Sequence, residues 1–188
     1  MTTLVAIPGS SRQGSFNFAL AQAAAQLAPA GCKVEIASIH EIPLYDGEVE
    51  AAQGSPPAVT ALKEKIVAAD GVVLVTPEYN NSLPGTLKNA IDWLSRPGKD
   101  IPRVFGDRPF GLIGATPGPG GTRLAQAAWL PVLRALGTRA WFGKSLFVSD
   151  AGKVFDADGR LADEKIKQLL TGYMEGFVRF VEQGMRKT

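Results

Sequence analysis

Two polar segments of the chain combine residue types that could bind a phosphorylated ligand carrying a planar ring. The first loop, residues 9–17, reads GSSRQGSFN and follows a short apolar run. The second loop, TPEYNNS at residues 76–82, follows the apolar run at 71–75. It begins the longer stretch TPEYNNSLPGTLKNAIDWLS at residues 76–95. In an open α/β sheet, loops at the carboxyl ends of strands are where ligands bind. Both segments are therefore candidate binding loops.

The first loop has the residue types of a phosphate site. A helix beginning near Ser15 would present unpaired backbone N–H groups and the positive end of its dipole to an anion. Serine hydroxyls and the Arg12 guanidinium would complete the site. The loop has neither the Gly-Lys-Ser/Thr ending of a Walker loop nor the G-x-G-x-x-G spacing of a dinucleotide fingerprint. In the alternative interpretation, Ser15 only caps a helix and Arg12 is a solvated surface charge.

The second loop suits a ring system. Backbone groups of residues 78–80 could meet the hydrogen-bonding edge of a planar ligand, and Tyr79 could pack against it. Alternatively, Tyr79 packs within the protein and Asn80 or Asn81 forms a turn. The helix that follows has one apolar stripe, and Ser82 is its predicted N-cap. The stripe consists of Leu83, Leu87, Ala90, Ile91 and Leu94.

Strand-like runs alternate with helical periodicity, which predicts a parallel α/β sheet in a single domain over residues 1–188. We expect strands at 4–7, 34–37, 71–75, 110–115 and within 139–148, and helices at 15–28, 58–69, 83–94, 122–136 and 163–183. A long loop is expected over 39–57, an irregular basic segment over 96–109, and a kink or break at Pro131. A flavodoxin-like strand order, 2-1-3-4-5, would bring the first and second loops side by side.

Composition excludes several classes of protein. The net charge is +2 with no block of Lys or Arg, which argues against nucleic-acid binding. No apolar run approaches the ~20 residues of a membrane span, and no signal peptide is predicted, so we expect a cytoplasmic protein by default. The single Cys32 cannot form an intrachain disulfide or a multi-cysteine metal site, and no metal is expected. The single His40 is interpreted as structural or exposed rather than catalytic.

The two loops also carry a family resemblance. The motifs G-S-x-R-x-x-S-x-N at 9–17 and P-E-Y-N-x-S-x-P-G-x-L-K-N-A-x-D-W at 77–93 resemble those of the NADPH-dependent FMN reductase family, which includes chromate and quinone reductases and related azoreductases. The resemblance implies a flavodoxin-like three-layer fold, bound FMN, and homodimers or homotetramers with the flavin near a subunit interface. It also implies hydride transfer from NADPH or NADH through FMN to a small-molecule acceptor, such as a quinone, azo compound, chromate or flavin. FMN would carry that chemistry, and no catalytic side chain is expected.

The resemblance further implies a set of cofactor-binding residues. The phosphate would be held by Ser10, Arg12, Ser15, Phe16 and Asn17, and the ring would be lined by Pro77, Glu78, Tyr79 and Asn80. Thr116 and Gly118 belong to a third loop, TPGPGG at residues 116–121, which would lie against the flavin.

The basic segment at 96–108 either meets the phosphates of the nicotinamide nucleotide or is solvated. The apolar helix at 122–136 is buried, in the core or at a subunit interface, and we favour the interface.

Two other classes of function compete with this interpretation. An FMN-binding electron carrier that docks to redox partners is usually strongly acidic and lacks an arginine in its phosphate loop, so the +2 charge and Arg12 argue against it. A serine hydrolase using Ser10 or Ser82 would need a G-x-S-x-G elbow, which the chain lacks.

Overall fold

A parallel β-sheet runs through the protein in the computed structural model, which describes residues 1–10, 12 and 14–185. Its strands are β1 (Thr2–Pro8), β2 (Cys32–Ile36), β3 (Gly71–Val75), β4 (Pro109–Ala115), β5 (Arg139–Ala140) and β6 (Leu146–Val148). They lie in the order β2-β1-β3-β4-β5, and β6 also pairs with β4. The predicted flavodoxin-like order is therefore confirmed.

The fifth strand differs from the prediction because it is divided in two. β5 pairs with the start of β4 and β6 with its end, and the chain leaves the sheet between them. In that gap the Trp141 ring turns edge-on to Tyr173, with ring centroids 4.9 Å apart. The Trp141 N–H still donates to the Phe110 carbonyl of β4 at 2.8 Å, so the chain leaves the sheet only after this residue.

Helices cover both faces of the sheet. They are α1 (Phe16–Gln26), α2 (Gly47–Gln53), α3 (Pro57–Ala68), α4 (Gly85–Leu94), α5 (Ile101–Val104), α6 (Arg123–Ala135), α7 (Ala151–Val154) and α8 (Glu164–Met185). One core cluster joins the sheet to α1 and α8, and the other joins it to α3, α4 and α6. Along β1, Leu4 and Ala6 enter the first cluster while Val5 enters the second, as strand alternation requires. Among the described residues, no helix is long and apolar enough to cross a membrane.

Three local predictions are wrong. The predicted loop at 39–57 contains α2, whose N-terminus is capped by Asp46 through Oδ1, which accepts from the N–H of Glu48 at 2.8 Å. Ser82 does not cap α4, because that helix begins at Gly85 with Pro84 at its N-cap. The basic segment contains a 3₁₀ turn and α5 instead of being wholly irregular.

Helix α6 does not break at its proline. It continues through Pro131 to Ala135 and buries Trp129 and Leu133 against the sheet. Leu124 and Leu130 point away from the core, being 52% and 41% exposed. Only one side of this helix is therefore buried within the chain.

Candidate active site

The first and second loops are neighbours because β1 pairs with β3. Pro8 lies opposite Val75 in the sheet, and the Gly9 N–H donates to the Val75 carbonyl at 2.9 Å. A Cβ atom at Gly9 would lie 2.9 Å from Cδ of Pro77, closer than real Cβ contacts come. Thr86 adds a second link, since its hydroxyl donates to the Gly9 carbonyl at 3.2 Å. The predicted adjacency of the two loops is confirmed.

The first loop forms the start of α1. Ser15 is the N-cap, and its Oγ accepts from the N–H of Phe18 at 3.3 Å. Gly14 before it has φ +65°, a left-handed conformation that favours glycine. Arg12 is exposed, and none of the ion pairs found among the described residues involves it. The Arg12 guanidinium therefore lies beside a helix N-terminus with no ion-pair partner among the described residues, and anions bind favourably at such a position.

Asn17 is buried beneath this loop and is only 3% exposed. Its Nδ2 donates to the Ala115 carbonyl at 2.8 Å, and its Oδ1 accepts from the Ala115 N–H at 2.9 Å. Ala115 ends β4, so the Asn17 amide joins the start of α1 to the start of the third loop. Its observed contacts are with backbone, and they hold the first loop in place.

The second loop contains a two-residue hairpin. Tyr79 and Ser82 exchange backbone hydrogen bonds of 3.1 and 3.0 Å. Asn80 and Asn81 between them have φ of 50° and 60°, the left-handed pair of a type I′ turn. The turn-forming interpretation of both asparagines is thus confirmed. Tyr79 does not pack in the core, because it is 48% exposed and its ring is free to meet a ligand.

Glu78 contacts the helix that follows the third loop. One carboxylate oxygen, Oε2, accepts from the backbone N–H groups of Leu124 and Ala125 at 2.9 and 3.0 Å. Pro77, the residue before it, is buried against Gly9. The Glu78 side chain therefore joins the second loop to the N-terminus of α6.

The third loop is held from its far side by the segment after β6. The Thr116 N–H donates to the Val148 carbonyl at 3.0 Å, and the Gly118 carbonyl accepts from the Asp150 N–H at 3.1 Å. Thr116 and Gly118 are both half-buried. All three loops therefore lie at the carboxyl edge of the sheet and are tied to one another.

A cleft of about 750 Å³ opens beside the first loop. Of the predicted site residues, its wall includes Ser10, Arg12, Ser15 and Phe16. Residues 77–80, Thr116 and Gly118 are not on that wall, so the second and third loops border a more open surface. The opposite wall, which no sequence pattern indicated, consists of residues 38–40 and 155–159. Phe155 reaches the loop by stacking on Phe16, with ring centroids 5.8 Å apart, a contact that no local pattern indicates.

The basic segment lies away from these loops. Arg103 and Arg108 precede β4 and therefore lie at the amino edge of the sheet, opposite the three loops. Arg103 pairs with Glu64 at 2.6 Å, and Arg96 pairs with Glu50 at 2.9 Å. Arg108 donates to backbone carbonyls, including that of Val104 at 2.8 Å. These contacts favour a structural role for the three arginines, since each already has a partner within the chain.

The single histidine and the single cysteine both lie outside the three loops. His40 is exposed on the wall of the cleft, in agreement with the interpretation of it as exposed. Across the described part of the chain, no cluster of three or more His, Cys, Asp or Glu residues could hold a metal ion. Burial, aided by the charges of Glu182 and Asp70, raises the pKa of Cys32 to about 11. That thiol lies on β2, at the edge of the sheet and outside the three loops.

Comparisons with known proteins agree with this architecture. The model of the NADPH-dependent FMN reductase family matches residues 2–153. An NAD(P)H-dependent FMN reductase of Pseudomonas aeruginosa is 40% identical over 180 residues, covering 96% of this chain and 95% of that protein. A quinone reductase of Escherichia coli K12 is 39% identical over 187 residues, with coverage of 96% and 95%. Among solved structures, the flavoenzyme NAD(P)H:(acceptor) oxidoreductase FerB of Paracoccus denitrificans superposes with a TM-score of 0.86 at 33% identity, covering 97% of this chain and 98% of that one.

Proposed function

The chain belongs to the NADPH-dependent FMN reductase family, and on that premise we propose that it transfers electrons from NADPH or NADH through bound FMN to a quinone. The relatives named as FMN and quinone reductases support this at 39–40% identity over nearly the whole chain. Azo compounds, chromate and free flavin are further acceptors that an open ring face would admit. The observation that carries the proposal is the set of hydrogen bonds that link three polar loops at one edge of the sheet.

The residues present at this edge fit FMN. Gly9 lets the first and second loops approach more closely than a side chain would allow, which brings a phosphate site beside a ring site. In the proposed complex, Arg12, Ser10 and the first turn of α1 hold the phosphate, with Ser15 capping that turn. The isoalloxazine lies between the second and third loops, against Tyr79 and the backbone of residues 77–80, 116 and 118.

Bound FMN would supply the redox chemistry, taking up the electron pair from the nicotinamide nucleotide and delivering it to the acceptor. The protein's own task is to bind and orient. The exposed Tyr79 offers an aromatic surface, and backbone N–H groups of the loops offer donors to a planar ligand. No side chain of the three loops is needed to transfer a proton, and His40 lies in the cleft beside the first loop.

We also propose that the protein works as a homodimer or homotetramer through the outer side of α6. Leu124 and Leu130 are exposed there, and Phe142 nearby is 67% exposed. Exposed apolar groups of this size are commonly covered by a partner. Sedimentation equilibrium tests this: dimers or tetramers are expected, and a monomer at micromolar concentration would contradict it.

The enzyme proposal is tested by reducing the purified protein anaerobically in a stopped-flow instrument. A yellow protein with a flavin spectrum is expected, and its absorbance should bleach on mixing with NADPH or NADH. Steady-state oxidation of the nucleotide should then depend on added benzoquinone. A flavin spectrum without nucleotide-dependent bleaching would favour the electron carrier, and a colourless protein that binds no added FMN would contradict both.

A further inference from the structure

Helix α6 receives no capping hydrogen bond from the side chain of its own N-cap residue. Thr122 occupies the N-cap position, but its side chain makes no capping hydrogen bond. Its hydroxyl instead accepts from Nε2 of Gln126 at 3.0 Å, and the same Nε2 donates to the Leu146 carbonyl at 2.9 Å. Thr122 is fully buried, so its hydroxyl stays in this inner contact. The first N–H groups of α6 therefore need an acceptor from elsewhere.

Glu78 supplies that acceptor from 46 residues away in the chain. Its Oε2 bridges the N–H groups of Leu124 and Ala125, the second and third residues of the helix. These are the positions that an N-cap side chain normally serves. A carboxylate there also offsets the positive end of the helix dipole.

The contact links the two loops that face the proposed ring. Glu78 belongs to the second loop, and α6 begins directly after the third. Behind it, Nε1 of Trp129 donates to Oγ1 of Thr76 at 3.1 Å in the buried layer. That inner contact fixes the middle of α6 to the residue that follows β3, whereas Glu78 fixes the end of α6 that carries the third loop.

We propose that Glu78 is a positioning residue, which sets the gap between the second and third loops and so the affinity for FMN. Its carboxylate acts through helix α6 and does not contact the flavin. The inference rests on the proposed function. Without the carboxylate, the N-terminus of α6 loses its cap, and the third loop is free to move away from residues 77–80.

Three variants separate this role from a general loss of stability. Glu78→Ala removes the acceptor, whereas Glu78→Gln keeps a neutral oxygen that can accept from both N–H groups, as the single Oε2 does. The matched control is Asp163→Ala, because Oδ1 of Asp163 caps α8 at the N–H of Ile166, 2.9 Å away and outside the three loops. Each apoprotein is titrated with FMN by fluorescence quenching, its thermal midpoint is recorded, and visible circular dichroism of the bound flavin reports the ring environment.

Glu78→Ala should raise the FMN Kd about tenfold, the size expected when one N-cap is lost, and should change the flavin dichroism. Glu78→Gln should stay within about threefold of the wild-type Kd, since it keeps the cap and loses only a partly exposed charge. Asp163→Ala should lower the thermal midpoint and leave the Kd unchanged. If Glu78→Ala does not fold, Glu78→Asp replaces it, with a raised Kd expected because its shorter side chain cannot reach both N–H groups.

Two results would overturn the inference. One is a Glu78→Ala protein that binds FMN as the wild type does, and the other is an equal loss of affinity in Asp163→Ala. A wild-type protein that fails to bind FMN in the same titration would instead overturn the proposed function.

Discussion

Replacing Gly9 by alanine should push the first and second loops apart. The added Cβ would lie 2.8 Å from Cδ2 of Leu87, 2.9 Å from Cδ of Pro77 and 3.2 Å from Cβ of Leu87. Leu87 is fully buried and cannot swing into solvent, and the proline ring is fixed to the backbone. The strain must therefore be relieved by moving one loop relative to the other.

The size of the effect follows from two opposing contributions. Inserting a methyl group into a filled space costs about 1–3 kcal/mol. Gly9 has no left-handed φ, so alanine adds no backbone strain there, and it stiffens the unfolded chain by about 0.4–1 kcal/mol in favour of folding. We expect a net loss of about 1–2 kcal/mol in the free energy of unfolding and a several-fold rise in the FMN Kd.

Gly85→Ala is the matched control. Gly85 begins α4, and a Cβ added there would meet no atom within 4 Å. Alanine is the better helix former, so this variant should be as stable as the wild type or slightly more so. Equilibrium urea unfolding of the apoproteins gives the free energies, and fluorescence titration gives the FMN affinities.

Equal urea midpoints for the two variants would refute the steric reasoning, because only Gly9→Ala introduces a clash. A destabilised Gly9→Ala protein with unchanged FMN affinity would preserve the steric argument. It would, however, refute the claim that the contact between Gly9 and Pro77 sets the geometry of the site.

The remaining predictions concern two arginines and one thiol. Arg12→Ala should raise the FMN Kd about tenfold or more, the worth of a hydrogen bond to a charged group, with little change in the stability of the apoprotein because Arg12 is exposed. Arg103→Ala should leave the KM for NADPH within about twofold of wild type in steady-state assays, because Arg103 pairs with Glu64 at the opposite edge of the sheet; a large rise would contradict this placement. The folded protein should react with a thiol reagent at pH 8 at least tenfold more slowly than the unfolded chain, because a pKa of about 11 for Cys32, against an ordinary 9.0, leaves about a hundredfold less thiolate. Since the folded state holds that proton more tightly, this group's contribution to stability should be lost as pH rises from about 9 to about 11, which urea unfolding across that range would measure.

The architecture and two of the loops could be predicted from the sequence because their signals are local. The fully buried run of β3 and the alternation of strands with amphipathic helices determine a sheet covered on both faces. Ser15 before the apolar face of α1 marks a helix start, and the asparagine pair at 80 and 81 marks a turn. Helix α2 carried a readable signal as well, since Asp46 and Glu48 form an acidic helix start.

Other features arise only from the tertiary structure. The motif at 77–93 would read the same whether the carboxylate of Glu78 faced a ligand or capped a distant helix. In the structure it caps a helix 46 residues later in the chain. The amide of Asn17 likewise meets Ala115 only because α1 packs across the end of β4. The charges at Arg96 and Arg103 formed a basic run in the sequence, but folding pairs each with a carboxylate from another segment. Sequence patterns record what neighbours along the chain favour, whereas the partners of these groups are chosen by the packing of distant elements.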